Sequence, residues 1–327
     1  MVYRRKMDID FIKPIPLKKG FLAVEKITFI YTLLTTLLIL YLFPNMNHPV
    51  DMLLDRVIIV GITIGLSLVS NWWPSKVMLF VRVAFQMGLL SYWYPDTYEF
   101  NRLFDNLDHV FASMEQSVFG CQPAELFSSR FSSPIISEAF YLGYFSYYPM
   151  IGIVTLAYCF CKFEDFDKVA FIIVGAFFLY YILYIFIPVA GPQFYFPVIG
   201  AEAVSNGLFN SIGQYFNSIP TLLQGPGYED GLFYNLVKSS QEVGERPTAA
   251  FPSSHVGIST ILLIISYRLN KKIMYVLIPF YILLCGATVY IQAHYVIDVI
   301  GGWLSAFIIY GIITTLYSKL YSNSALY

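Results

Sequence analysis

Eight apolar runs constrain this chain more than any other feature. A helix needs about 20 apolar residues to cross the hydrocarbon core of a bilayer. Runs near 21–43, 56–72, 76–94, 136–161, 167–190, 254–269, 272–292 and 296–317 come at or close to that length, 254–269 being the short one. In lipid, backbone polar groups must be satisfied within the segment, so such runs fold as helices. Composition agrees: 57% of the 327 residues are hydrophobic and 13% charged, against roughly 25% charged in soluble domains. The expected fold is an all-α, polytopic membrane protein with about eight transmembrane helices. About 20 polar residues precede the first run and no small-residue cleavage pattern follows it, so that run reads as an uncleaved anchor.

Lysine and arginine set the expected orientation. Arg4, Arg5, Lys6, Lys13, Lys18, Lys19 and Lys26 place the N-terminus in the cytoplasm. Eight crossings then put Lys76, Lys162, Lys168, Arg268, Lys271, Lys272 and Lys319 on the same side. The external (periplasmic or lumenal) side receives two long segments, 95–135 and 191–253. The net charge of -1 gives no basic field for nucleic acid. Cys121, Cys159, Cys161 and Cys285 form no CxxC pair, which argues against a disulfide framework or a zinc site.

With this orientation all four histidines fall on the external side. His48 sits in a short proline turn and reads as interfacial. His255 belongs to "PTAAFPSSH", where Pro252 sets a turn and Ser253 or Ser254 can cap the following helix. The free N–H groups and dipole of that first turn form an anion site. His294 and Asp298, in "AHYVID", are four apart and share a face if one helix runs through both. A carboxylate on one ring nitrogen leaves the other free as a nucleophile, with a second histidine as general acid. These residues alone leave a structural role, metal ligation and phosphoryl transfer all open.

Other segments add candidates. Residues 98–119 carry apolar side chains at helical spacing and read as one interfacial amphipathic helix, with Asp105 and His109 placed to pair. The Gly, Pro and aromatic content of 191–253 suggests a structured lid. Arg82 lies within a run near its cytoplasmic end and reads as snorkelling.

"AAFPSSH" and "AHYVID", two helix-lengths apart and on one side, resemble the second and third motifs of the type 2 phosphatidic acid phosphatase superfamily. The resemblance covers 76–317 and implies a six-helix phosphatase-type core preceded by two additional helices. The division is then 1–20 cytoplasmic N-terminus, 21–75 additional helices, 76–317 catalytic core and 318–327 cytoplasmic tail. It implies His294 as nucleophile, Asp298 as its orienting carboxylate, His255 as acid, and Ser253 and Ser254 as phosphate ligands, with no metal or cofactor. The hydrolase branch usually carries Ser-Arg before the nucleophilic histidine; here Ala287 and Thr288 stand there. The first motif is only echoed, by Lys238 and Arg246-Pro247. A cation-poor site suits a monoanionic diester better than a phosphomonoester, since each charge-assisted hydrogen bond contributes about 1.5–3 kcal/mol. "AFPSSHVG" and "AHYVIDVIGG" are similar to the inositol phosphorylceramide synthase branch, with "VAGPQFYF" matching its Pro-aromatic run. That branch implies a phospholipid donor such as phosphatidylinositol, a ceramide acceptor and release of diacylglycerol. A lipid phosphate phosphatase with the same residues is the alternative. A non-catalytic transporter or scaffold is a third, on which loss of these residues would change nothing. Asp105, Asp108, His109, Glu138 and the 191–253 segment are the candidates to read the head group.

Overall fold

The computed structural model describes residues 20–217 and 225–321. The N-terminal cation cluster up to Lys19, the stretch 218–224 and the tail beyond 321 lie outside the described residues. Helices, and no strand, make up the described residues. They are α1 Ala23–Leu42, α2 Pro49–Trp72, α3 Lys76–Gly88, α4 Leu90–Asn101, α5 Asp108–Phe119, α6 Pro123–Arg130, α7 Pro134–Phe145 and α8 Tyr147–Cys161. There follow α9 Phe166–Phe186, α10 Pro192–Ile199, α11 Ala201–Ser205, α12 Leu232–Gly244, α13 Ser254–Leu269, α14 Lys271–Tyr290 and α15 Val296–Tyr321.

All eight expected runs are helical. Six spans are long and apolar enough to cross a membrane: α1, α2, α3 with α4, α9, α14 and α15. The α7–α8 pair makes a seventh, bent by 42°. Its bend has a local cause. Pro149 lacks the N–H that would bond the Phe145 carbonyl, so the ladder breaks there. The remaining run, α13, is apolar but short, at 16 residues.

Helix α9 is the axis of the bundle. It is hydrophobic on all sides, which suits only a helix enclosed by others, and α1, α4, α13 and α15 surround it. Helix α1 is pinned to that axis. Asp167, at the start of α9, accepts hydrogen bonds from the Ala23 and Val24 amides at 2.8 and 3.1 Å, satisfying free donors of the α1 N-terminus.

Two arginines lie inside this assembly. Arg82 does not snorkel. It is 3% exposed and grips Glu25 of α1 with Nε at 2.7 Å and Nη2 at 2.6 Å, while Nη1 donates to Ser70 Oγ. Arg56 forms a similar fork on Asp96, at 3.1 and 2.7 Å, linking α2 to α4. Helices α1 and α2 are thus bolted to the rest of the bundle by charge as well as by packing.

The expected single helix over 98–119 is two helices, α4 and α5, with a break across 102–107. Asn106 turns the chain, its Oδ1 accepting from the Asp108 amide at 3.0 Å, and its own amide bonds the Gly213 carbonyl at 2.9 Å. Asp105 is left in the break, so it and His109 do not share a helix face. The 191–253 segment carries α10, α11 and α12.

Candidate active site

Three segments meet at one end of the bundle: 187–193, 249–255 and 291–298. Backbone hydrogen bonds join them directly. The Ala250 amide donates to the Val189 carbonyl at 2.9 Å, Gln193 to Gln292 at 2.8 Å, and Ser253 to Asp298 at 3.0 Å. Glycine permits the closeness. A Cβ on Gly191 would lie 2.5 Å from the Ala293 carbonyl oxygen, and its φ of +94° suits only glycine. A Cβ on Gly302, in "VIGG", would lie 2.6 Å from the Ser253 carbonyl oxygen, so that glycine lets α15 abut the "FPSSH" turn. Asp108 fastens the junction, accepting from the Ala190 and Gly191 amides at 2.7 and 2.8 Å and from the Tyr295 hydroxyl at 3.0 Å.

Ser253 caps α13, its hydroxyl accepting from the Val256 amide at 3.4 Å. The Ser254 amide donates to the Tyr184 hydroxyl at 3.0 Å, and that hydroxyl donates to the Pro252 carbonyl at 3.0 Å. One donor of the helix end is therefore spent inside the protein. His255 follows in the first turn. Its ring lies between Tyr144 and Tyr147, with centroids 4.7 and 4.5 Å away. Those tyrosines flank the bend at Ser146, so the broken span is what presents both rings to the histidine.

His294 is not on a helix. It occupies the turn between α14 and α15, so the expected helix through His294 and Asp298 is absent. The turn nevertheless brings them together, with Nδ1 3.5 Å from Asp298 Oδ2. The closer partner is the Ala250 carbonyl, 2.8 Å from Nδ1. A carbonyl only accepts, so Nδ1 carries the proton and Nε2 keeps its lone pair. Asp298 also caps α15, its Oδ2 accepting from the Tyr295 amide at 2.8 Å. The rings of His255 and His294 are 5.7 Å apart. Ala249 and Gln292, the two non-glycine residues with positive φ among the described residues, at 72° and 65°, adjoin these two strands of backbone. Left-handed alanine is strained, and such strain gathers at functional sites.

A cavity of about 930 Å³ runs between α3–α4 and the bent α7–α8 pair to Ser254, His255 and Glu245. Its walls are mostly aromatic and aliphatic, including Phe80, Met87, Tyr147, Leu156 and Phe177. His294 lies behind His255 rather than in the wall, and is 3% exposed. Arg246 is half-buried, its Nη1 donating to the Glu245 carbonyl at 2.7 Å, and Lys238 is exposed on α12. Of the head-group candidates, Asp105 is exposed, Asp108 is spent on the junction, and Glu138 accepts from the Phe233 and Tyr234 amides at 2.9 Å, capping α12. His109 is half-buried, with Nδ1 unpartnered. Glu245 went unnoticed in the sequence, where it reads as a loop residue beside a cation.

Burial pulls the His294 imidazole down from 6.5 to about 4, against the opposing pull of the Ala250 carbonyl and the Glu245 carboxylate. Between these values the unfolded chain binds a proton here that the folded chain does not. This residue therefore costs stability progressively as pH falls from 6.5 towards 4. The melting midpoint of the native protein is expected to drop more steeply over that window than that of His294→Gln. Equal slopes would mean that the ring titrates as in water.

A buried and a half-buried imidazole with a carboxylate, at the end of an apolar cavity within a helical membrane bundle, are equipped for chemistry on a lipid phosphate ester. The chain matches the family model of the PAP2 superfamily over residues 116–312, more than half its length, and belongs to that superfamily. No curated protein and no solved structure matches it. Membership supports phosphatase or phosphotransferase chemistry on lipid phosphate esters.

Proposed function

We propose that the protein is a sphingolipid synthase, moving a phospho-head group from a phospholipid such as phosphatidylinositol to ceramide. His294 Nε2 attacks phosphorus, and the bond to the diacylglycerol oxygen breaks as His255 protonates that oxygen. Asp298 and the Ala250 carbonyl hold the His294 ring. The resulting phosphohistidine holds the head group through its one remaining ester bond and the protein through the P–N bond. The ceramide hydroxyl then attacks, its proton passing to His255 and the electron pair of the P–N bond returning to His294. Ser253 and Ser254 are assigned to the phosphate and the cavity to acyl chains, while Arg246 and Lys238, which echo the first motif, stand outside the cavity wall. By the distribution of cations the reaction faces the periplasm or lumen, with both termini in the cytoplasm.

The observation that carries this reading is the pair of imidazoles 5.7 Å apart where a large apolar cavity reaches His255. The test is head-group-labelled phosphatidylinositol plus ceramide, with phosphatidic acid in a parallel tube. Labelled phosphoceramide is expected. Free phosphate from phosphatidic acid without any ceramide product would instead make the protein a lipid phosphatase.

A further inference from the structure

Glu245 is the one acidic side chain in the cavity wall, and the transfer steps make no use of it. It stands just after α12, half-buried, with Oε1 accepting from Gln193 Nε2 at 3.3 Å. Gln193 Oε1 accepts in turn from Gln241 Nε2 at 3.3 Å, so the carboxylate is held by a chain of amides. It forms no ion pair among the described residues: the neighbouring Arg246 turns Nη1 to the main-chain carbonyl instead. No lysine or arginine lines the cavity. Burial pushes the Glu245 carboxyl up from 4.5 to about 7, against the opposing pull of His294, so it is mainly a carboxylate only above that pH.

Above pH 7 a phosphate brought to these histidines from the cavity therefore meets a carboxylate and no cation in the wall. A diester brings one negative charge. A monoester near neutral pH brings nearly two. The repulsion scales with the product of the charges and is strong where water is scarce. We infer that Glu245 is a specificity-determining residue, which admits monoanionic phosphodiester lipids and turns away dianionic phosphomonoesters. The inference rests on the reading of His294 and His255 as the phosphoryl-transfer pair. It gives the missing cations a counterpart: the site lacks attraction for a second charge and also repels it.

The experiment compares initial rates of phosphate release from phosphatidic acid and of head-group transfer from phosphatidylinositol to ceramide, with the purified full chain in detergent at about pH 8, where Glu245 is ionised. Glu245→Gln is expected to raise the monoester-to-diester ratio about tenfold or more, and Glu245→Asp to keep it within about threefold of the native value. Gln241→Lys, which sets a cation in the same wall, is expected to raise the ratio as well, and supplies the reading should Glu245→Gln fail to fold. Native transfer to ceramide with ratios unchanged in both Glu245→Gln and Gln241→Lys overturns this inference alone. A native protein that makes no phosphoceramide and hydrolyses phosphatidic acid overturns the synthase reading and this inference together.

Discussion

His294→Ala is expected to lower head-group transfer on the order of 10⁴-fold or more, the scale seen when a covalent nucleophile is removed. The proposed reaction forms its intermediate on the Nε2 of this ring, so no shortened route survives its loss. His255→Ala is expected to cost less, about 10²–10⁴-fold, because a general acid and base speeds both steps without forming the bond. Its ring is placed by two tyrosines rather than by hydrogen bonds, so the alanine variant should keep the surrounding backbone. The check is the rate of labelled phosphoceramide formation, with covalent label on the protein trapped by rapid denaturation. Transfer by His294→Ala within tenfold of the native rate would end the phosphohistidine mechanism.

The other large effect concerns stability. Arg82→Ala is expected to destabilise the protein by about 3–5 kcal/mol, since it strands Glu25, 0% exposed, as an uncompensated charge. The pair itself is a different matter. Replacing both partners together, as Glu25→Gln with Arg82→Met, removes the charge and its desolvation cost at once, and should restore most of the loss. Thermal unfolding in detergent, followed by tryptophan fluorescence, separates the two variants. If the double substitution melts as early as the single one, the stranded Glu25 charge is not the source of the loss.

The eight helices were legible because lipid tolerates little else. Each run had to satisfy its own backbone, and its hydrophobicity was visible without any tertiary knowledge. His255, His294 and Asp298 were legible for the complementary reason: polar residues at the ends of apolar runs stand out. The manner of their meeting was not. Spacing of four suggested one helix face for His294 and Asp298, whereas the chain turns at Gln292 with a positive φ that glutamine does not advertise. Residues 98–119 misled in the same way, because the apolar spacing continues through the break made by Asn106. Glu245 was hidden for another reason. An acidic residue in a Gly- and Pro-containing stretch looks solvated, and its burial depends on α12 lying against α7, a contact between distant parts of the chain.

The Ser253 amide bonds the Asp298 carbonyl, and His294 reaches back to Ala250, so the two histidine segments complete one another only with α15 in place. During synthesis α15 follows every other described helix out of the ribosome. A nascent chain that stops short of α15 lacks Asp298, whose carbonyl holds the "FPSSH" turn and whose carboxylate stands beside His294. Insertion of α15 is therefore the step that assembles the site from its separate segments.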